Sequence, residues 1–186
     1  MLGQNGHLSE PLLLISLALR SVAAAKERFP DYRLTRLVSA TLEFDESDVA
    51  RLADLFGADV LRPARDALRP FDHHLRYVIV RYGLESLFCD DGHGPYHHAI
   101  RPTGYDFFHD AVIPAGMEKW RADYRGMPDE RQMLAASIIW LYRAGKDNVW
   151  LRRVPCTWHA VDAIARMNVT GVLGDSARLY ALYPGW

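Results

Sequence analysis

The sequence predicts a mostly helical α+β protein, and three observations carry that expectation. Apolar residues recur at three- and four-residue spacing over several stretches of ten or more residues. Only short runs of β type lie between turn-forming residues, "LESLF" and "HAIRP" the clearest. The chain has 186 residues, 49% of them hydrophobic, which suffices for one compact core or two small ones.

Residues 9–29 read as one helix, with Ser9 as N-cap, Pro11 in the first turn and Pro30 as the stop. Its apolar run differs from a secretory signal: no Lys or Arg precedes it, and Arg20 interrupts it. It is also too short to span a bilayer. Residues 30–42 read as a connection. "FDESDVARLADLFG" is a helix capped by Asp45 and closed by Gly57, with Val49, Leu52, Ala53 and Phe56 as its stripe. "RPARDALRP" is a short helix between prolines. "FDHHLRYVIVRYG" is a longer one, turning Leu75, Val78, Ile79 and Tyr82 inward and stopping at Gly83. "LESLF" and "HAIRP" then flank a histidine-rich loop as two strands, and "GYDFFHDAV" returns to helix. "GMEKWRADYRG" connects, as helix or loop. "DERQMLAASIIWLYRAG" is a strong helix capped by Asp129, and "VWLRRV" is a short strand. "PCTWHAVDAIARMN" is a helix that starts at Pro155 and stops at Asn168. "GVLGDSARLYALYPGW" reads as a hairpin turning at Gly174-Asp175.

Composition narrows the function classes. Lys+Arg is 22 and Asp+Glu is 23, so no global charge demands nucleic acid, although a neutral total can hide a basic face. Two cysteines allow one disulfide at most, which makes a reducing, cytoplasmic setting the expectation. No glycine-lysine phosphate loop and no H-E-x-x-H motif is present, and no cofactor is expected.

Residue 83 set against residue 168, an offset of 85, aligns two helix–hairpin patterns, with His74 on His159 and Ile79 on Ile164. This predicts a duplicated unit. The unit resembles the winged helix-turn-helix family: a helix closing in Gly83-Leu84, a returning strand with Ile100, then Thr103-Gly104 with a shortened gap. In the second copy Asn168-Val169 replace Gly-Leu, and Tyr183-Pro184-Gly185 replace the threonine. The resemblance implies an N-terminal helix and connection over 1–42, a winged-helix-like unit over 43–110, a connecting segment over 111–127 and a second unit over 128–186. It speaks to fold more than to function, because the family binds DNA, RNA or protein.

The most basic stretch falls on the helices such a fold sets against DNA. Residues 62–81 hold five arginines against two aspartates. Arg62, Arg65 and Arg69 share one face of the short helix. His73, His74, Arg76 and Arg81 lie outside the apolar stripe of the next. Arginine there suits phosphates and guanine edges. The leading expectation is therefore a DNA-binding regulator or accessory factor. Its DNA-binding residues are Arg62, Arg65, Arg69, His73, Arg76 and Arg81. Its partners are double-stranded DNA and a second copy held through the N-terminal helix or the second unit. A protein-interaction adaptor without DNA binding is the alternative on the same fold.

A third reading, a small metal- or cysteine-dependent enzyme, rests on the loop "CDDGHGPYHH". Cys89, His93 and His97 form C-x3-H-x3-H, a ligand set zinc accepts. Against it, adjacent His97 and His98 on a strand point to opposite faces. Cys156 at a helix start with His159 one turn on offers a nucleophile and base, but a buried small residue explains it as well. Elemental analysis of the purified protein is expected to find no stoichiometric zinc. One zinc per chain, lost on Cys89→Ala or His93→Ala, would overturn that.

Overall fold

The structure is a computed structural model and describes residues 8–57, 68–152 and 158–186. These residues form nine α-helices and two separate two-stranded antiparallel sheets, as the helical α+β expectation requires. None of the helices among them is long and apolar enough to cross a membrane.

The N-terminal segment forms two helices where one was expected: α1 (Glu10–Arg20) and α2 (Val22–Arg28). Ser21 breaks the run. Its backbone is extended (φ −156°) and its hydroxyl accepts from the amide of Ala24, capping α2. Ser9 holds the N-cap position of α1 but makes no side-chain cap bond. The expected connection contains a further helix, α3 (Leu34–Thr41), burying Leu34, Leu37, Val38 and Thr41 at helical spacing. Two backbone bonds tie its approach to α8 (Ala160–Val169): Leu34 N–H donates to the Trp158 carbonyl, and Ala160 N–H to that of Tyr32.

α4 (Glu46–Phe56) matches expectation, with the Asp45 carboxylate accepting from Asp48 N–H at 2.8 Å and Gly57 left-handed. Most of "RPARDALRP" lies outside the described residues; its last three positions open α5 (Leu68–Arg81). α5 buries Phe71, His74, Leu75, Val78 and Ile79 and stops at left-handed Gly83. The first hairpin follows: β1 (Phe88–Asp90) pairs with β2 (Ile100–Pro102), Cys89 opposite Arg101.

The next segment corrects the sequence reading. Residues 104–112 are a second hairpin, β3 (Tyr105–Asp106) with β4 (Ala111–Val112), where helix was expected. Asp106 decides this, because its carboxylate accepts from the amides of Phe108 and His109 and so closes a turn. α6 (Pro114–Gly126) then buries Met117, Trp120 and Tyr124, and the Trp120 indole donates to the Leu87 carbonyl.

α7 (Asp129–Tyr142) is buried without a break from Met133 to Leu141. Pro128 takes its N-cap position, and Asp129 belongs to its first turn. The strand expected over 149–154 is absent in its described part. The Asp147 carboxylate accepts from the amides of Val149, Trp150 and Leu151, leaving none for a ladder. In α8, Asn168 is helical and Gly171 takes the left-handed position; Pro155 lies outside the described residues.

The largest correction is the C-terminal hairpin. Residues 173–182 are α9 (Leu173–Leu182), which buries Leu173, Ser176, Ala177 and Tyr180 at helical spacing. A helix–hairpin pair, α5 with β1–β2, thus faces a helix–helix pair, α8 with α9, and the duplication fails. The first half has a helix followed by a hairpin, and among the described residues of the second half no hairpin follows α8. α9 packs on α4 and α5, α3 on α7 and α8, and α1 on α8. Side chains from both halves therefore share one apolar cluster.

At the end of α7, left-handed Gly145 (φ +75°) turns the chain against α3, where a Cβ would overlap the Ser39 hydroxyl. Gly57 is left-handed in open space. Gly145→Ala is expected to cost about 2–4 kcal/mol in urea unfolding, combining backbone strain with overlap. Gly57→Ala should cost about 1 kcal/mol. Equal losses would show that the close approach to Ser39 carries no weight.

Candidate functional site

Of the six expected DNA-contacting residues, Arg62 and Arg65 lie outside the described residues. The other four sit on α5. Arg69, His73, Tyr77 and Val80 fall on its solvent side, with Arg81 at the edge. The Arg69 guanidinium stands 5.8 Å from the ring centre of Tyr96, in the tip of the β1–β2 hairpin.

Arg76 is not available as expected. Its Nε donates to Asp72 at 2.8 Å and its NH1 to Asp90 at 2.7 Å. The Asp90 hydrogen bond is the first cause holding Arg76 above its ordinary pKa, and the same bond holds the Asp90 carboxyl below its own. Two carboxylates from different elements thus clamp one cation, latching the hairpin tip onto α5. The sequence places Asp72 one turn from Arg76, but Asp90 meets it only through the fold.

Arg81 lies 3.5 Å from the Asp175 carboxylate and near the rings of Tyr77 and Tyr82. Asp175 also accepts from the Tyr82 hydroxyl at 2.7 Å. Beside this contact runs a shallow groove of about 630 Å³ between α5 and α9, lined by Arg69, His73, Tyr77, Asp175 and Arg178 among others. Arg178 escaped the sequence reading because its segment read as a hairpin. His74, expected outside the apolar stripe, is buried in the same contact. Its Nε2 donates to the Asp175 carbonyl at 2.9 Å, and its ring stacks on Tyr77.

The histidine loop divides in two. Residues 96–99 form a single 3-10 turn, so His97 and His98 are not on opposite faces of a strand; their rings lie 4.3 Å apart. His97 is fully buried against Phe71 and Trp186, and its Nε2 donates to the Gly185 carbonyl at 2.8 Å. Cys89 and His93 instead line a cavity that His97 does not reach. The Cys89 thiol is pushed up by burial and by the Asp91 and Asp90 charges, which disfavours a thiolate. No group of three or more His, Cys, Asp or Glu among the described residues is placed to hold a metal. Cys156 lies outside the described residues. His159 is the N-cap residue of α8, and its Nε2 lies 3.0 Å from the Arg33 guanidinium. Trp140 and Trp150 are core, and Tyr142 and Trp158 are half-buried.

No family model, curated protein or solved structure matches the chain.

Burial is the first cause holding both His74 and His97 below the ordinary 6.5. The native state then binds these protons less readily than the unfolded chain, so stability falls as pH drops through the unfolded value. The urea midpoint is expected to decline between about pH 7 and 5. Replacing both residues with Gln should flatten the decline. A midpoint that rises over that window would contradict the sign.

Proposed function

We propose that this protein is a DNA-binding regulator or accessory factor of winged-helix type, which presents the outer face of α5. The observation that carries the reading is the arrangement around that helix. Its exposed side places Arg69 and His73 in one groove with Arg178 of α9, Arg81 stands against Asp175, and the β1–β2 hairpin is latched against its other flank through Arg76 and Asp90. A helix flanked by a hairpin, with arginines on its open face, suits phosphate contacts along a duplex. Arg76 serves here as a positioning residue for the hairpin. The reading carries with it a cytoplasmic location and a second copy of the chain as partner on two-fold DNA sites.

One observation favours the adaptor instead. Phe108, Val112 and Ile113 are exposed around the second hairpin, with Phe108 at 91%, an apolar group suited to a protein surface.

Fluorescence anisotropy with random and genomic duplexes at several salt concentrations separates the two. Arg69→Ala and Arg178→Ala are each expected to weaken binding on all sequences and to flatten the salt slope by about one unit. Arg166→Ala, whose side chain pairs with Glu130, should matter little. Absence of binding at low salt would sink the DNA reading and favour the adaptor.

A further inference from the structure

The two hairpins enclose a cavity of about 510 Å³ that plays no part in the α5 face. Its walls are largely apolar: Pro102, Tyr105, Phe107, Phe108 and Ile113. Phe107 is fixed, with its ring 5.1 Å from Tyr105 and 6.1 Å from Trp150, nearly parallel to the latter. Over Phe107, at 5.1 Å, lies the Arg101 guanidinium.

Arg101 is held in place before any ligand arrives. Its Nε donates to Asp91 at 3.3 Å, and its NH1 donates to the Tyr142 hydroxyl at 3.1 Å. Two of the five N–H donors of the guanidinium are thereby used, and three remain without an acceptor among the described residues. Both carboxylates of the cavity lining are already engaged. Asp91 answers Arg101, and Asp106 takes a 2.7 Å hydrogen bond from His109 together with two backbone amides. A cation would find both lining carboxylates occupied, whereas an anion would meet the unused Arg101 donors. A flat ring with hydrogen-bond acceptors on one edge would meet aromatic walls and the spare arginine donors.

We infer that this cavity binds a small aromatic ring bearing a carbonyl or carboxylate acceptor, with Arg101 reading the acceptor and Phe108 closing over the ring. The inference is independent of DNA binding, because it uses different residues and a different face of the hairpin.

Three probes with one ring and three charge states test it: benzamide, benzoate and benzylammonium, titrated into isotope-labelled full-length protein and followed by amide chemical shifts. Benzamide and benzoate are expected to bind with roughly millimolar affinity, as their size dictates, and to move the amides of Cys89, Arg101, Phe107 and Phe108. Benzylammonium should bind about fivefold more weakly, the margin of one typical hydrogen bond. Phe108→Ala, at a side chain almost fully in solvent, should weaken benzamide about fivefold without loss of fold. Arg101→Gln should weaken it about tenfold and abolish the preference among the three. No shift at these amides with either benzamide or benzoate, or equal affinity for benzylammonium, overturns the inference.

Discussion

A helix buried on every side forces the rest of the chain to enclose it. From Met133 to Leu141, α7 offers solvent nothing, and each large side chain there contributes about 1.5–3 kcal/mol only while it stays covered. α3, α6 and α8 pack directly on it. α9 is joined to it at a point by polar bonds: the Tyr180 hydroxyl donates to Ser137, which donates to the Met133 carbonyl. Satisfying both hydroxyls inside the core fixes how α9 sits along α7. The helix pair α8–α9 therefore cannot be a detached second unit, whatever resemblance its sequence has to the first.

Between the helices, aspartates organise the backbone. Asp45, Asp90, Asp91, Asp106 and Asp147 each accept amide hydrogens from residues two to four positions on. The same carboxylates hold side chains, with Asp90 on Arg76 and Asp91 on Arg101. This accounts for the histidine- and aspartate-rich segment bringing together, among the described residues, no three groups placed to hold a metal. Its carboxylates are used by the turns and the neighbouring arginines, and His97 is consumed by the core.

What could be read in advance follows from the range of the forces concerned. α4, α5 and α7 carry strong periodicity and local stop signals, and they lie where the pattern puts them. The break at Ser21 and the hairpin at Asp106 turn on one side chain each, so a period drawn over ten residues passes across them. α9 was hidden because Gly174-Asp175 is a good turn signal that here lies in the first turn of a helix; burial of Ala177 and Tyr180 outweighs it. The face of α5 was legible, since helical spacing alone groups Arg69 with His73. The loss of Arg76 to Asp90 and the arrival of Arg178 were not, because both depend on packing between segments distant in sequence.

Asp175 has a consequence for how the groove meets a partner. Its carbonyl receives His74, and its carboxylate receives Tyr82 and faces Arg81, so one residue of α9 is stitched to α5 at three places. The two walls cannot spread or close separately. Docking there costs the protein little reorganisation, and encounter should be fast and governed by shape. Any bending or widening that the fit demands must come from the molecule that docks.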